Sequence, residues 1–336
     1  MRLPWRVLRF GGTLFLVAIL TACSHAIQTA RLQQSHPDRL PLRHELVDTP
    51  FFAQARYQCG PAALATVLGQ RGLAVSPDQL VDQVYLPARE GSVPVEMEAA
   101  ARRHGMLVYP LAADLEAVLR EVAAGHPVLV LQNLGLEWWP NWHYAVVVGY
   151  DLREGEVILR SGVTRRYLMS MGVFEATWRR GGYWARVVVP PGGMPASAIP
   201  LDYVRAALAL EQSGQADAAL RSYRVATEQW PQAPFAWLAR GNLAYRLGLD
   251  EEAVQSFGDG VRAAPYDAAL WNNLGYALAR GPCGEQALEA VRCAIALAPG
   301  NADYRDSLRE LQALVKGRDS CVMPTCPVET AGPPLD

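Results

Sequence analysis

Gln54-Ala55-Arg56-Tyr57-Gln58-Cys59-Gly60-Pro61-Ala62-Ala63-Leu64 is the stretch on which the fold of the first half turns. Gly60 and Pro61 make a turn into a helix, since Pro suits the first helical position. Leu64, Val67 and Leu68 follow at helical spacing. One thiol therefore stands at a helix start. There the helix dipole and free backbone N–H groups favour the thiolate, the reactive form. The same N–H groups suit an oxyanion formed during acyl transfer.

A nucleophilic Cys needs a base, and the chain has six histidines. His25, His36 and His44 lie in a polar N-terminal stretch whose loose spacing suits a tether better than a metal site. His104 and His126 sit beside Gly105 and Gly125, in turns. His143 alone opens an apolar strand, His143-Tyr-Ala-Val-Val-Val-Gly-Tyr150. A His at a strand mouth faces a cleft while Val146 and Val148 stay in the core. Its ring is placed to take the thiol proton and return it to a leaving amine. Trp138, Trp139 and Trp142 crowd its approach and line a substrate groove, shield the pair or cover the edge of the core.

Around these residues the pattern is mixed α and β. Helices are expected over Ser76 to Val84, Val95 to His104, and from the Asp114 cap to Gly125. Strands are expected over Leu107 to Leu111, Pro127 to Gln132, His143 to Tyr150, Glu156 to Arg160, Arg165 to Ser170 and Tyr183 to Val189. A turn is expected at Asp151 to Gly155.

The chain has 336 residues, is 51% apolar and carries a formal charge of −2. That is enough length for two cores and gives no electrostatic sign of a nucleic-acid partner. Arg2, Arg6 and Arg9 precede a short apolar run from Gly11 to Leu20, too short to span a bilayer well. It ends in Leu20-Thr21-Ala22-Cys23, which resembles the bacterial lipoprotein box. The resemblance implies export, an acyl anchor on Cys23 and, with Ser24 following, an outer-membrane site facing the periplasm. Exported chains keep disulfides. Setting aside Cys23 and Cys59 leaves Cys283, Cys293, Cys321 and Cys326, which can pair in three ways. In one of them Cys321 and Cys326 close a small loop on themselves. No CxxC occurs, and neither a metal nor a cofactor is expected.

Pro190-Pro191-Gly192-Gly193-Met194-Pro195 reads as a linker. Beyond it the sequence repeats every 34 residues: Pro231, Pro265 and Pro299; Ala219, Ala253 and Ala287; Tyr203, Trp237 and Trp271; Gly241 and Gly275, with Ala207 before them. Tyr223 and Phe257 share another register with Val291. This resembles the tetratricopeptide repeat, with Tyr304 to Val315 as a capping helix. The aromatic residues are expected to fill gaps between repeats.

The Cys59 and His143 arrangement resembles papain-like cysteine peptidases, specifically the bacteriocin-leader (double-glycine) processing peptidases and their relatives. The resemblance covers roughly residues 50 to 190 and includes Gly91-Ser92-Val93 and Gly125-His126-Pro127-Val128. It implies Cys59 as nucleophile, His143 as general base and Gln54 as an oxyanion donor beside the Cys59 N–H. Family members place an Asp on the strand after the His strand, where this chain has Val157-Ile158-Leu159-Arg160-Ser161-Gly162. Ser161 occupies that place and can orient the imidazole without stabilising its charge. Asp151, eight strand residues from His143, stands roughly 26 Å away.

The expected organisation is therefore a signal peptide at 1–22, a tether at 23–49, an α+β papain-like peptidase domain at 50–190 and a linker at 191–199. An all-α tetratricopeptide-repeat solenoid with its cap at 200–316 and a Cys-containing tail at 317–336 complete it. The expected function is an extracytoplasmic, membrane-anchored cysteine peptidase acting on a peptide or protein, with the repeats recruiting substrate or a protein partner. A catalytically silent binding lipoprotein is the other reading. Cell-wall amide hydrolases, which carry Asp-Cys-Ser-Gly at the nucleophile, fit Gln58-Cys59-Gly60-Pro61 less well.

Overall fold

The computed structural model describes residues 26–35, 40–53, 58–315 and 321–328. Contacts divide the chain into two compact units. The first takes residues up to Ala101, Val108–Val189 and Pro195–Ser197; the second takes Arg102–Leu107, Pro190–Met194 and the chain from Ala198. Among the described residues no helix is long and apolar enough to cross a membrane.

In chain order the first region contains α1 (Ile27–Ser35), β1 (Arg43–Glu45), α2 (Cys59–Gln70), α3 (Pro77–Val84), β2 (Tyr85–Leu86) and β3 (Gly91–Ser92). Then come α4 (Pro94–Arg103), β4 (Leu107–Pro110), α5 (Leu115–Ala123), β5 (Val128–Asn133), β6 (Trp142–Asp151), β7 (Glu156–Ser161), β8 (Thr164–Ser170), α6 (Met171–Arg180) and β9 (Ala185–Val189). A seven-stranded sheet runs β4-β9-β5-β6-β7-β8, with β1 also paired to β6. β6 is the long central strand. Its first half pairs with β5, from Asn133↔Trp142 to Val128↔Val147, and its last residues pair with β1, Glu45↔Gly149 to Arg43↔Asp151. Both strands are buried along most of their length, because α2, α5 and α6 pack on them. That is why they read as continuous apolar runs instead of alternating ones. β8 is the exposed edge and carries Arg165 and Arg166, charges that discourage edge-to-edge pairing.

Local signals set the helix starts. Ser76 and Gln79 form a reciprocal capping box on α3. Asp114 caps α5 through the Glu116 N–H, and Ser170 caps α6 through the Val173 N–H. α2 starts at Cys59 itself, two residues before Pro61, whose missing N–H falls among donors that have no helical acceptor anyway.

The described part of the stretch expected as a tether is built into the first unit. The Glu175 carboxylate, 1% exposed, accepts hydrogen bonds from Gln28 N–H (3.0 Å), Thr29 N–H (2.7 Å) and the Thr29 hydroxyl (2.7 Å). A buried anion thus caps the N-terminus of α1, where the helix dipole favours it. Gln28 also bridges to α5, accepting from Leu115 N–H at 2.6 Å and donating to the Ala113 carbonyl at 3.0 Å. Farther on, buried Arg160 donates to the carbonyls of Leu46, Val47 and Thr49. Residues 1–22, expected as a signal peptide, and Cys23, expected as the anchor, lie outside the described residues.

The second unit carries seven helices among the described residues: α7 (Pro200–Gln212), α8 (Ala216–Gln229), α9 (Pro234–Arg246), α10 (Asp250–Ala263), α11 (Ala268–Ala279), α12 (Gly284–Leu297) and α13 (Ala302–Leu314). They form antiparallel pairs in tetratricopeptide fashion, with α13 last. Trp237 Nε1–H donates to the Pro231 carbonyl and Trp271 Nε1–H to the Pro265 carbonyl, each six residues back. One period later Arg305 makes the same bond to Pro299 with an exposed, charged side chain, which suits the end of a stack. The aromatic of the repeat fills a gap inside its own repeat. A Cβ on Gly241 in α9 would lie 2.5 Å from the Phe257 ring of α10, and one on Gly275 would lie 2.5 Å from Val291. Cys283 bonds to Cys321 and Cys293 to Cys326, so the tail is stapled to α12 and does not close on itself.

Candidate active site

α2 delivers Cys59 as its first residue, β6 delivers His143 as its second, and β7 ends on Ser161. Cys59 is the free cysteine among the described residues. It shares a cleft of about 940 Å³ with His143. The remaining walls come from Arg89–Pro94, on the β2–β3 hairpin and the turn after it, and from Pro140–Trp142.

His143 Nε2 lies 2.8 Å from Ser161 Oγ. The β6–β7 register, Val146↔Arg160 and Val147↔Leu159, carries Ser161 toward the mouth of the sheet where His143 sits. When Nε2–H donates to the serine, the Nδ1 lone pair is left for a thiol proton. Asp151 sits at the other end of β6, where its carboxylate accepts from the Arg153 and Glu154 N–H groups and faces Arg43. It does not orient His143. Gln54 lies outside the described residues.

The electrostatics correct the expectation of a resting thiolate. Burial pushes the Cys59 thiol up, and this outweighs the backbone N–H groups of Tyr144, Gly60 and Cys59 that pull it down. Burial pushes the His143 imidazole down, with nothing to oppose it. Both shifts favour the uncharged forms, thiol and neutral imidazole. The serine neighbour offers a hydrogen bond and no charge.

Two contributors stand in the motifs without a role assigned to them there. The Tyr144 N–H, one residue after His143, is among the backbone groups that pull the thiol down. Ser92 presses on the first turn of α2: a Cβ on Gly60 would lie 2.2 Å from its Oγ, which is buried without a hydrogen-bond partner. The Gly after the Cys was the available signal, since only Gly admits a side chain so close. Among the described residues no group of three or more His, Cys, Asp or Glu is placed to hold a metal ion.

Residues 46–185 match the model of the Peptidase_C39 like family. A search of curated proteins returns no match. Among solved structures, a C39-like peptidase from Bacillus anthracis aligns at 19% identity over 44% of this chain and 97% of its own, with a TM-score of 0.38. The first tetratricopeptide domain of Spaghetti (RPAP3), bound to an HSP90 peptide, aligns at 18% identity over 34% of this chain and 90% of its own, with a TM-score of 0.32. The MamA protein aligns at 24% identity over 34% of this chain and 62% of its own, also with a TM-score of 0.32.

Proposed function

We propose that the chain is a cysteine peptidase that hydrolyses a peptide bond through a Cys59 thioester. The observation that carries this reading is the cleft shared by a thiol at a helix start and an imidazole whose far nitrogen is held by Ser161. As Cys59 Sγ attacks the scissile carbonyl carbon, His143 Nδ1 takes the thiol proton. The carbonyl oxygen gains the negative charge and accepts from the Cys59 N–H, joined by the Gln54 side-chain amide that the family resemblance assigns. Collapse breaks the C–N bond, and His143 gives its proton to the leaving amine. Water, deprotonated by His143, then attacks the thioester and releases the acid and the thiol. Ser161 holds the ring in the working tautomer, and His143 carries its transient charge without a carboxylate.

The resemblance of Leu20-Thr21-Ala22-Cys23 to a lipoprotein box supports an activity outside the cytoplasm, anchored through Cys23 at the outer membrane facing the periplasm. The two disulfides fit an oxidising compartment. The repeats recruit substrate or a protein partner, and Asn242, Tyr245, Asn273 and Tyr276 line a groove suited to that role. Mass spectrometry of the mature N-terminus tests the anchor: an acylated Cys23 is expected, and an unmodified terminus rejects it.

The second reading, a silent peptidase-like scaffold acting through its repeats, draws on the absence of a carboxylate partner for His143 among the described residues. Incubating the full chain with a random-sequence peptide pool between about pH 6 and 9 separates the two. Cleavage is expected, lost in Cys59→Ala and reduced by about a thousandfold or more in His143→Ala. An uncut pool, or cleavage that survives Cys59→Ala, sinks the peptidase reading.

A further inference from the structure

The connection between β5 and β6 is a built loop. Asn133, 2% exposed, anchors it: its Oδ1 accepts from the N–H groups of Gly135 and Asn141, both at 2.9 Å, and its Nδ2 donates to the Leu136 carbonyl at 3.2 Å. Leu134 N–H donates to the Asn141 carbonyl, and Leu136 and Trp139 exchange backbone hydrogen bonds. Gly135 is required, because a Cβ there would stand 2.4 Å from the Trp139 carbonyl oxygen. Arg180 ties the base through the Asn133 carbonyl.

This scaffold leaves large apolar side chains in water. Trp138 is 77% exposed, Trp139 73%, Trp142 53% and Leu136 55%. Trp138 and Trp139 meet edge to face with ring centroids 6.4 Å apart. Exposing so much apolar surface on a fixed loop costs free energy that a partner recovers. Indoles suit the task, since they bring large contact area with few rotatable bonds. Trp142 belongs to both surfaces: it stands on this loop's exit, and it lines the cleft beside His143 with Pro140 and Asn141.

We propose that Trp138, Trp139 and Trp142 form a platform that holds an apolar run of the substrate polypeptide flanking the scissile bond. This inference rests on the peptidase reading and names its substrate class: chains with large aliphatic or aromatic side chains beside the cut. Continuity with the cleft through Trp142 assigns the occupant. The sheet register argues against the chain's own bilayer. β6 runs from Trp142 to Asp151, Asp151 pairs with Glu156, and Glu156 pairs with Ser170. Ala26 packs 3.6 Å from where a Gly172 side chain would start, just past that end. Ala26 therefore stands roughly 30 Å from the platform along the sheet.

The test uses the full chain with Cys59→Ala, which binds without turnover. Fluorescent peptides identical except for a Leu/Phe or a Ser run, placed on either side of a central bond, are titrated against it. The apolar peptides are expected to bind at least about tenfold tighter. Trp138→Ser with Trp139→Ser is expected to remove that preference, and Trp138→Phe with Trp139→Phe to keep most of it. Equal binding of the two peptide classes, or a preference that survives the serine substitutions, overturns the platform. So does platform-dependent sedimentation with phosphatidylcholine–phosphatidylglycerol vesicles, which assigns the indoles to a bilayer. Self-association lost in the serine variant, seen by analytical ultracentrifugation, assigns them to a second copy and overturns it equally. Because the preference is read without turnover, a failure to cleave leaves it standing, and its loss leaves the thiol chemistry standing.

Discussion

The two units hold themselves together over different distances along the chain. In the repeats, Trp237 and Trp271 each bond to a carbonyl six residues back, and Gly241 admits a ring from the next helix. In the first unit, Glu175 caps a helix through Thr29, 146 residues earlier, and Arg160 fastens Thr49, 111 residues earlier. A stack of near neighbours gains stability by repetition and needs staples only at its end. A sheet closed by distant segments depends on a few buried polar joints, and its cleft is assembled from three elements that are far apart in sequence. The disulfides sit in one unit and the free thiol in the other.

The largest effect that tests this contrast is loss of the staples. Removing both bridges by Cys283→Ser with Cys293→Ser should cost about 3 kcal/mol per bridge. Urea unfolding followed by a probe in the repeats would show it as a lowered midpoint. An unchanged midpoint would mean the repeats need no staple.

A smaller effect is expected at a long-range joint of the first unit. Glu121, fully buried, accepts from Ser197 N–H at 2.7 Å, Ala196 N–H at 3.0 Å and the Ser197 hydroxyl, and its Oε2 lies 2.8 Å from His126 Nδ1. Burial alone pushes this carboxyl up, but the hydrogen bonds from His126, Ser197 and Ala196 win and hold it below its ordinary value of 4.5. A depressed carboxyl contributes stability that is complete above the unfolded value and lost as pH falls through the folded one. Glu121→Gln should therefore destabilise the chain at neutral pH by about 2 kcal/mol. The gap to wild type should close as pH falls below 4.5. A gap independent of pH would show that the charge is not what matters.

The smallest effect concerns the cleft. Ser161→Asp places a carboxylate against His143, which should raise the imidazole and lower the thiol. Iodoacetamide alkylation of Cys59 should then reach its half-maximal rate at lower pH than in wild type. An unmoved profile would mean that Ser161 and His143 do not communicate with the thiol.

What the sequence disclosed follows the same division. The repeats were legible because Pro, Trp, Gly and Ala recur in phase, and each makes its contact locally. Ser161 was legible because strand alternation and hairpin register are short-range. α1 was not, since its burial rests on Thr29 and Leu32 alone and its capping anion arrives from α6. α6 was missed although Ser170, Phe174, Thr177 and Trp178 have helical spacing; buried Glu175 interrupts the apolar stripe. β1 is three residues long and exists because β6 outruns β5. The push of Cys59 and His143 toward their uncharged forms could not be read from a helix start, because desolvation depends on everything packed around them.

The bridges carry a consequence for how the chain is made. Cysteines joined in order of arrival would give Cys283–Cys293 and Cys321–Cys326. The observed pairs interleave, Cys283 with Cys321 and Cys293 with Cys326, and Cys293 is fully buried in α12. Neither bridge can close until the chain has emerged past its second cysteine, Cys321 for one and Cys326 for the other. Oxidation during emergence favours the wrong partner, ten residues away. Correct maturation therefore calls for delay or for a thiol–disulfide shuffling catalyst, and Cys59 must stay outside that exchange.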